Sequence, residues 1–150
     1  MSAPLPFALG TTYPDAELFV LAALEAFLPA LVGAAPQMKI EKIDTWLPES
    51  FDPPYVRVQR SGGAPDVYDV TDYPVISTAS YGTTRMAAWE LARVVEQVIL
   101  GVRYRSIEVP GYGRVLCDSS QLLSGGEQVP DLDPDDRRVD KTFQLGFRRV

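Results

Sequence analysis

The side chains that most often carry catalysis are scarce in this 150-residue sequence, which has no histidine and a single cysteine, Cys117. Without histidine the commonest general base and the commonest zinc ligand are both missing. Ser-His-Asp and Cys-His arrangements are excluded with them. One thiol can neither build a zinc site of ordinary composition nor close an intramolecular disulfide, so Cys117 reads as a small core residue and a reducing site of assembly is expected. A carboxylate pair or a Ser-Lys site stays open in principle, but no spacing singles one out. Asp131, Asp133 and Asp135 alternate as the first ligands of an EF-hand do, yet the sixth place is Asp136 instead of glycine and the twelfth is Thr142 instead of glutamate. These acids read as turn-forming or solvated. Gly111 and Gly113 begin a G-x-G pattern whose third glycine is missing, and no lysine follows a Gly-rich run as in a phosphate loop. No cofactor and no metal are expected, and the chain does not read as an enzyme.

Composition is that of an ordinary globular domain. A length of 150 residues suits one domain with one sound core, and 46% apolar with 23% charged residues is ordinary for a globular protein. The net charge of −6 argues against a grip on nucleic acid, which needs clustered Lys and Arg. The start MSAPLPFALG lacks the basic and apolar parts of a signal peptide. The apolar run Leu18 to Val32 is broken by Glu25 and Pro29 and is too short for a bilayer core of about 30 Å. No membrane partner is expected, and the chain should be soluble in the cell that makes it.

The elements that would position any site centre on Pro53 to Val102. Val56 and Val58 alternate with Tyr55, Arg57 and Gln59, predicting a half-buried strand. Arg60 to Asp66, with Gly62, Gly63 and Pro65, reads as a turn. A second strand is firm from Val75 to Ala79, while Asp69 to Pro74 reads as edge or extended loop. Thr83 is the expected N-cap of a helix running to about Leu100. Its apolar face is Ala87, Ala88, Leu91, Val94, Val95, Val98 and Ile99. The other face carries Arg85, Met86, Trp89, Glu90, Arg93, Glu96, Gln97 and Leu100. There Trp89 is either covered by its neighbours' stems or half of a subunit contact.

Outside this centre the sequence predicts an arm over residues 1–12 and a helix from Ala16 to about Leu28, capped by Thr12. That helix is apolar nearly all round, so it is either wedged deeply or meets another copy. Met38 to Trp46 reads as a strand, Tyr104 to Gly113 as a connection, and Gly113 to Asp118 as a short strand. Residues 119–138 read as a long loop. The C-terminal strand has Phe143, Leu145 and Phe147 on one side and Thr142, Gln144 and Arg148 on the other. The expected fold is a single α+β domain: a mainly antiparallel sheet of four or five strands with two helices packed on one face.

The run RVQRSGG, then DVTDYPVISTASYGTTR, then AAWELARVVEQVIL resembles the tail terminator proteins of long-tailed bacteriophages, the siphoviruses, especially those of actinobacterial hosts. That family shows an arginine-flanked strand ending in Gly-Gly, a Val-Thr-Asp strand and an Ala-rich helix opening with Thr-Arg. The middle third carries the likeness, and the two ends follow it in layout. The resemblance implies a virion structural protein at the head-proximal end of the tail, assembled in the host cytoplasm. It implies a hexameric ring that caps the tail tube, stops its polymerisation and gives the head connector, or stopper, a surface to join. Its partners would be further copies of itself, the tail tube protein, the connector and passing DNA that it does not bind specifically. A head-tail completion or connector protein of the same assembly is the alternative, with an enzyme of unrecognised type behind it.

A ring closed by head-to-tail contacts needs two different patches per subunit. The candidate interface residues are Leu18 and Phe19 on the first helix, Arg57 and Arg60 on the first central strand, and Arg85, Trp89, Arg93 and Glu96 on the long helix. Glu127, Asp131, Asp133, Asp135 and Asp136 are candidates for axial or lumen contacts.

Overall fold

Alternation in the central and C-terminal strands puts Val56, Val58, Ile76, Phe143, Leu145 and Phe147 on one sheet face, all fully buried in the computed structural model. That structure describes residues 13–34, 42–44, 54–66, 70–129 and 137–148. Its elements are α1 (Ala16–Ala34), β1 (Lys42–Asp44), β2 (Tyr55–Pro65), β3 (Thr71–Gly82) and α2 (Arg85–Gly101), then β4 (Ser106–Val109), β5 (Gly113–Leu116), β6 (Ser119–Val129) and β7 (Arg137–Arg148). The main sheet has the order β1-β2-β3-β7-β6. β2, β3, β7 and β6 are antiparallel, and the short β1 runs parallel to β2. Both helices pack on the same face of it, as expected for the α+β fold. β4 and β5 form a separate antiparallel hairpin.

α1 supplies Phe19, Val20, Leu24 and Leu28 to the core, and α2 supplies Leu91, Val95, Val98 and Ile99. Phe19 meets Phe147 edge to face at 4.8 Å between centroids. A buried aromatic side chain of this kind contributes on the order of 1.5–3 kcal/mol. Phe19 therefore belongs to the subunit's own core, which corrects its reading as an interface residue. The helix is capped by Asp15, just before its first residue, whose carboxylate accepts the Leu18 amide at 3.1 Å; the expected cap Thr12 lies outside the described residues. It continues past Leu28 to Ala34.

Several boundaries differ from the sequence expectations for identifiable reasons. Arg60 to Pro65 is not a turn but the far half of β2, reached through a register shift between Arg60 and Gly62. Gly63 sits there at φ 88°, where a Cβ would strike the Tyr73 carbonyl. Thr71 to Pro74 belongs to β3, a central strand, and Asp72 to Pro74 pair with β2; the ladder to β7 skips Tyr73 and Pro74. Proline has no N–H to give to that ladder. The α2 cap is Thr84, one residue later than expected, with its hydroxyl accepting the Ala87 amide at 3.1 Å. Ser106–Val109, expected as a connection, is a strand of the hairpin.

The long loop is the largest correction. Ser119–Val129 is an eleven-residue strand paired with β7. Serine and glycine carry little β-propensity, but pairing to a strong neighbour overrides that weak preference. The register with β7 shifts twice, between Leu122 and Ser124 and between Ser124 and Glu127. Residues 1–12 and 130–136 lie outside the described residues.

Candidate assembly surfaces

The outer stripe of α2 follows from helical spacing: residues 86, 89, 93 and 97 fall on one side while Ala88, Leu91, Ala92, Val95 and Ile99 are buried beneath. Met86 is 72% exposed, an unusual position for a large apolar side chain. Trp89 is half-buried, packed beside Ala88, Ala92 and Val139. Arg85 and Arg93 are exposed on either side of it, and neither makes an ion pair among the described residues. Glu96, expected on the same surface, instead turns to Lys141, whose Nζ donates to Oε1 at 3.0 Å.

The outer stripe of α1 forms the floor of a groove. Leu18, Leu21, Ala22, Glu25 and Ala26 line it, walled by Glu108 and Pro110 of the β4–β5 hairpin, and its volume is about 420 Å³. Leu18, Leu21 and Ala22 are only partly covered by the subunit's own core. Of the two readings of α1, deep burial holds for its inner side and an uncovered apolar side remains.

The sheet face opposite the helices is mixed. Tyr55 and Tyr81, opposite one another in register, are buried there with Ala79. The expected polar face of β2 thus carries one buried aromatic. Arg138 lies over the Tyr81 ring at 5.8 Å and donates to both Asp140 oxygens at 2.7 and 2.9 Å. Arg57 donates to the Gln59 side chain at 2.9 Å.

A polar cavity of about 440 Å³ opens at the N-terminal end of α1, between Tyr13, Glu17, Arg60, Asp72 and Tyr112. Paired carboxylates in such a place invite a catalytic reading. Each acid has a structural task instead: Asp15 caps α1, Glu17 accepts the Arg60 amide at 3.2 Å, and Asp72 receives two bonds from the Arg60 guanidinium at 3.1 and 3.2 Å. Arg60 also donates to the Gly62 and Gly63 carbonyls at 3.0 and 3.2 Å, holding the shifted part of β2. Arg60 is thus committed within the subunit. Among the described residues no group of His, Cys, Asp or Glu is arranged to hold a metal ion, and no helix is long and apolar enough to cross a membrane.

The candidate residues therefore separate. Arg85, Trp89 and Arg93 share one surface and Leu18 another, while Arg57 lies on the far sheet face. Glu127 has its backbone in β6 opposite Asp140, and Asp131, Asp133, Asp135 and Asp136 lie outside the described residues. Glu25 and Glu108, which rim the groove, were not legible as site residues, because the hairpin that brings Glu108 to α1 reads as a connection. Met86 could have been singled out as a long apolar side chain on the polar side of α2.

Fold and surfaces together describe a small α+β domain with its distinctive features on exposed faces. The chain belongs to the phage tail termination protein family, whose model matches residues 12–150. It is a structural component of the phage tail and assembles with other virion proteins. Among solved structures, a chain of the virion of a native gene transfer agent particle has the same fold, with a TM-score of 0.57 and 19% identity over 89% of this chain and 92% of that one. No curated protein matches the sequence significantly.

Proposed function

We propose that this chain forms a ring, six-membered by the family likeness, that caps the tail tube at its head-proximal end. The ring stops tube polymerisation and offers the surface on which the head connector docks. The observation that carries this reading is the family match over nearly the whole chain. The two exposed apolar surfaces, on α1 and on α2, support it, since a ring of identical subunits needs two unlike faces. Assembly would take place in the host cytoplasm, with DNA later passing the ring without being held.

Deleting the gene from its parent phage and measuring tail length by electron microscopy tests this. Overlong tubes without heads are expected. Tails of normal, uniform length that lack heads would move the chain to a joining role, and intact virions would remove it from both.

A further inference from the structure

We propose that the groove between α1 and the β4–β5 hairpin receives the Met86–Trp89 ridge of α2 from the next copy of this chain, with Arg85 and Arg93 meeting Glu25 and Glu108. This rests on the ring reading and assigns its two faces.

The two surfaces are unlike in shape and opposite in charge. The groove has an apolar floor of Leu18, Leu21 and Ala22 and carries the Glu25 and Glu108 carboxylates. The ridge presents an exposed methionine and a half-buried tryptophan between two exposed arginines, which outnumber the acid beside them, Glu90. Ion pairs close within the subunit between Arg60 and Asp72, Arg138 and Asp140, Lys141 and Glu96, and Arg148 and Asp118. The charges of the two surfaces take no part in these. Glu25, like Arg85 and Arg93, has no ion-pair partner among the described residues, and Glu108 reaches only Arg114, at 3.9 Å between two largely exposed side chains. Such an exposed contact is worth little and yields readily to a better partner.

Charge also selects the pairing. Groove against groove would bring glutamates together, and ridge against ridge would bring arginines together; both are opposed by like-charge repulsion. Groove against ridge matches them and places aromatic and arginine side chains at the centre, where interface energy concentrates. The ridge lies in the first half of α2 and the hairpin follows its C-terminal end, roughly 18 Å of helix beyond Trp89. Contacts between different ends of a subunit run head to tail, the type that closes into a ring.

Charge reversal in the parent phage tests the pairing. Glu25→Lys with Glu108→Lys, and separately Arg85→Glu with Arg93→Glu, are each expected to abolish tail-length control. All four changes in one chain are expected to restore it. Half-reversals that leave tails normal, or a fourfold variant that stays defective although it folds as wild type by circular dichroism, would overturn the proposal. A second measurement does not depend on charge: Ala22→Cys with Met86→Cys, treated on assembled tails with a short bismaleimide. A ladder of covalent oligomers that needs both cysteines is expected. Its absence from tails of normal length would sink the pairing and leave the ring standing, whereas normal tails without the gene would sink the ring itself.

Discussion

Lys141 stands on the core-facing side of β7, 4% exposed, with Glu96 as its ionic partner at 3.0 Å. A buried ammonium survives because that carboxylate, itself 26% exposed, sits against it. Taking one partner from a buried pair typically costs about 3–5 kcal/mol because the other charge is left buried and unpaired, a penalty that falls on buried Lys141 but not on the partly exposed Glu96. Glu96→Ala should therefore lower the stability in urea by about 3 kcal/mol. Lys141→Met should change it by less than about 1 kcal/mol, since Glu96 can turn to water. The reverse order would show that the pair does not hold Lys141. Cys117 gives a second residue-scale prediction. Burial pushes its thiol up from 9.0 to about 11, outweighing the hydrogen bonds from the backbone. Below pH 9 folded and unfolded chains both keep this proton and it adds no slope. Between pH 9 and 11 the unfolded chain gives up the proton first, so stability falls, by on the order of 2–3 kcal/mol in all. Cys117→Ala should lose less stability than wild type across that window in paired urea titrations, and identical declines would rule the thiol out as the cause.

Helix α2 depends on how closely its first turn can approach β3. Gly82 ends that strand, and a Cβ there would strike the backbone of Ala87 and Ala88. Two residues on, the Thr84 hydroxyl satisfies the Ala87 amide. Gly82→Ala should cost about 1–3 kcal/mol through overpacking. Thr84→Ala should cost about 1 kcal/mol through the lost cap. Only Gly82→Ala should loosen the Trp89 environment, visible as a shift in tryptophan emission; a shift from Thr84→Ala alone would contradict this division. The long helix was legible in the sequence because its apolar spacing is regular; its buried residues gain Ala92 over the expected face, while Ala87 and Val94 are only half-buried. β7 was legible for the same reason, as its alternation survives intact. β6 was not, because Ser119 to Val129 owes its strand form to pairing with β7, a partner that no local pattern reveals. Arg60 misled in the same way: its guanidinium serves the register shift of β2, which exists only once β3 lies beside it.

Half of the candidate site could be read from the chain, since the ridge on α2 depends on helical periodicity alone. The groove could not, because its rim joins residues 25 and 108, which only the packed hairpin brings together. The same distinction governs charge. A net of −6 sets the average field, yet affinity for DNA depends on whether cations stand free in clusters. On the sheet face away from the helices Arg138 is held by both Asp140 oxygens and Arg57 by Gln59. A guanidinium already chelated by a carboxylate has little to gain from phosphate, so this face should not retain a duplex. Wild-type protein should leave duplex DNA unshifted in native gels even at roughly 50 mM salt, where phosphate contacts are strongest. Asp140→Asn removes the chelating charge beside Arg138, so it should produce a weak shift at low salt that vanishes by about 200 mM, as counterion release requires. A wild-type shift at low salt that persists in Arg85→Glu with Arg93→Glu, which removes the free arginines of the α2 ridge, would mean that this face grips DNA despite its paired arginines, and the passive passage proposed above would have to be abandoned.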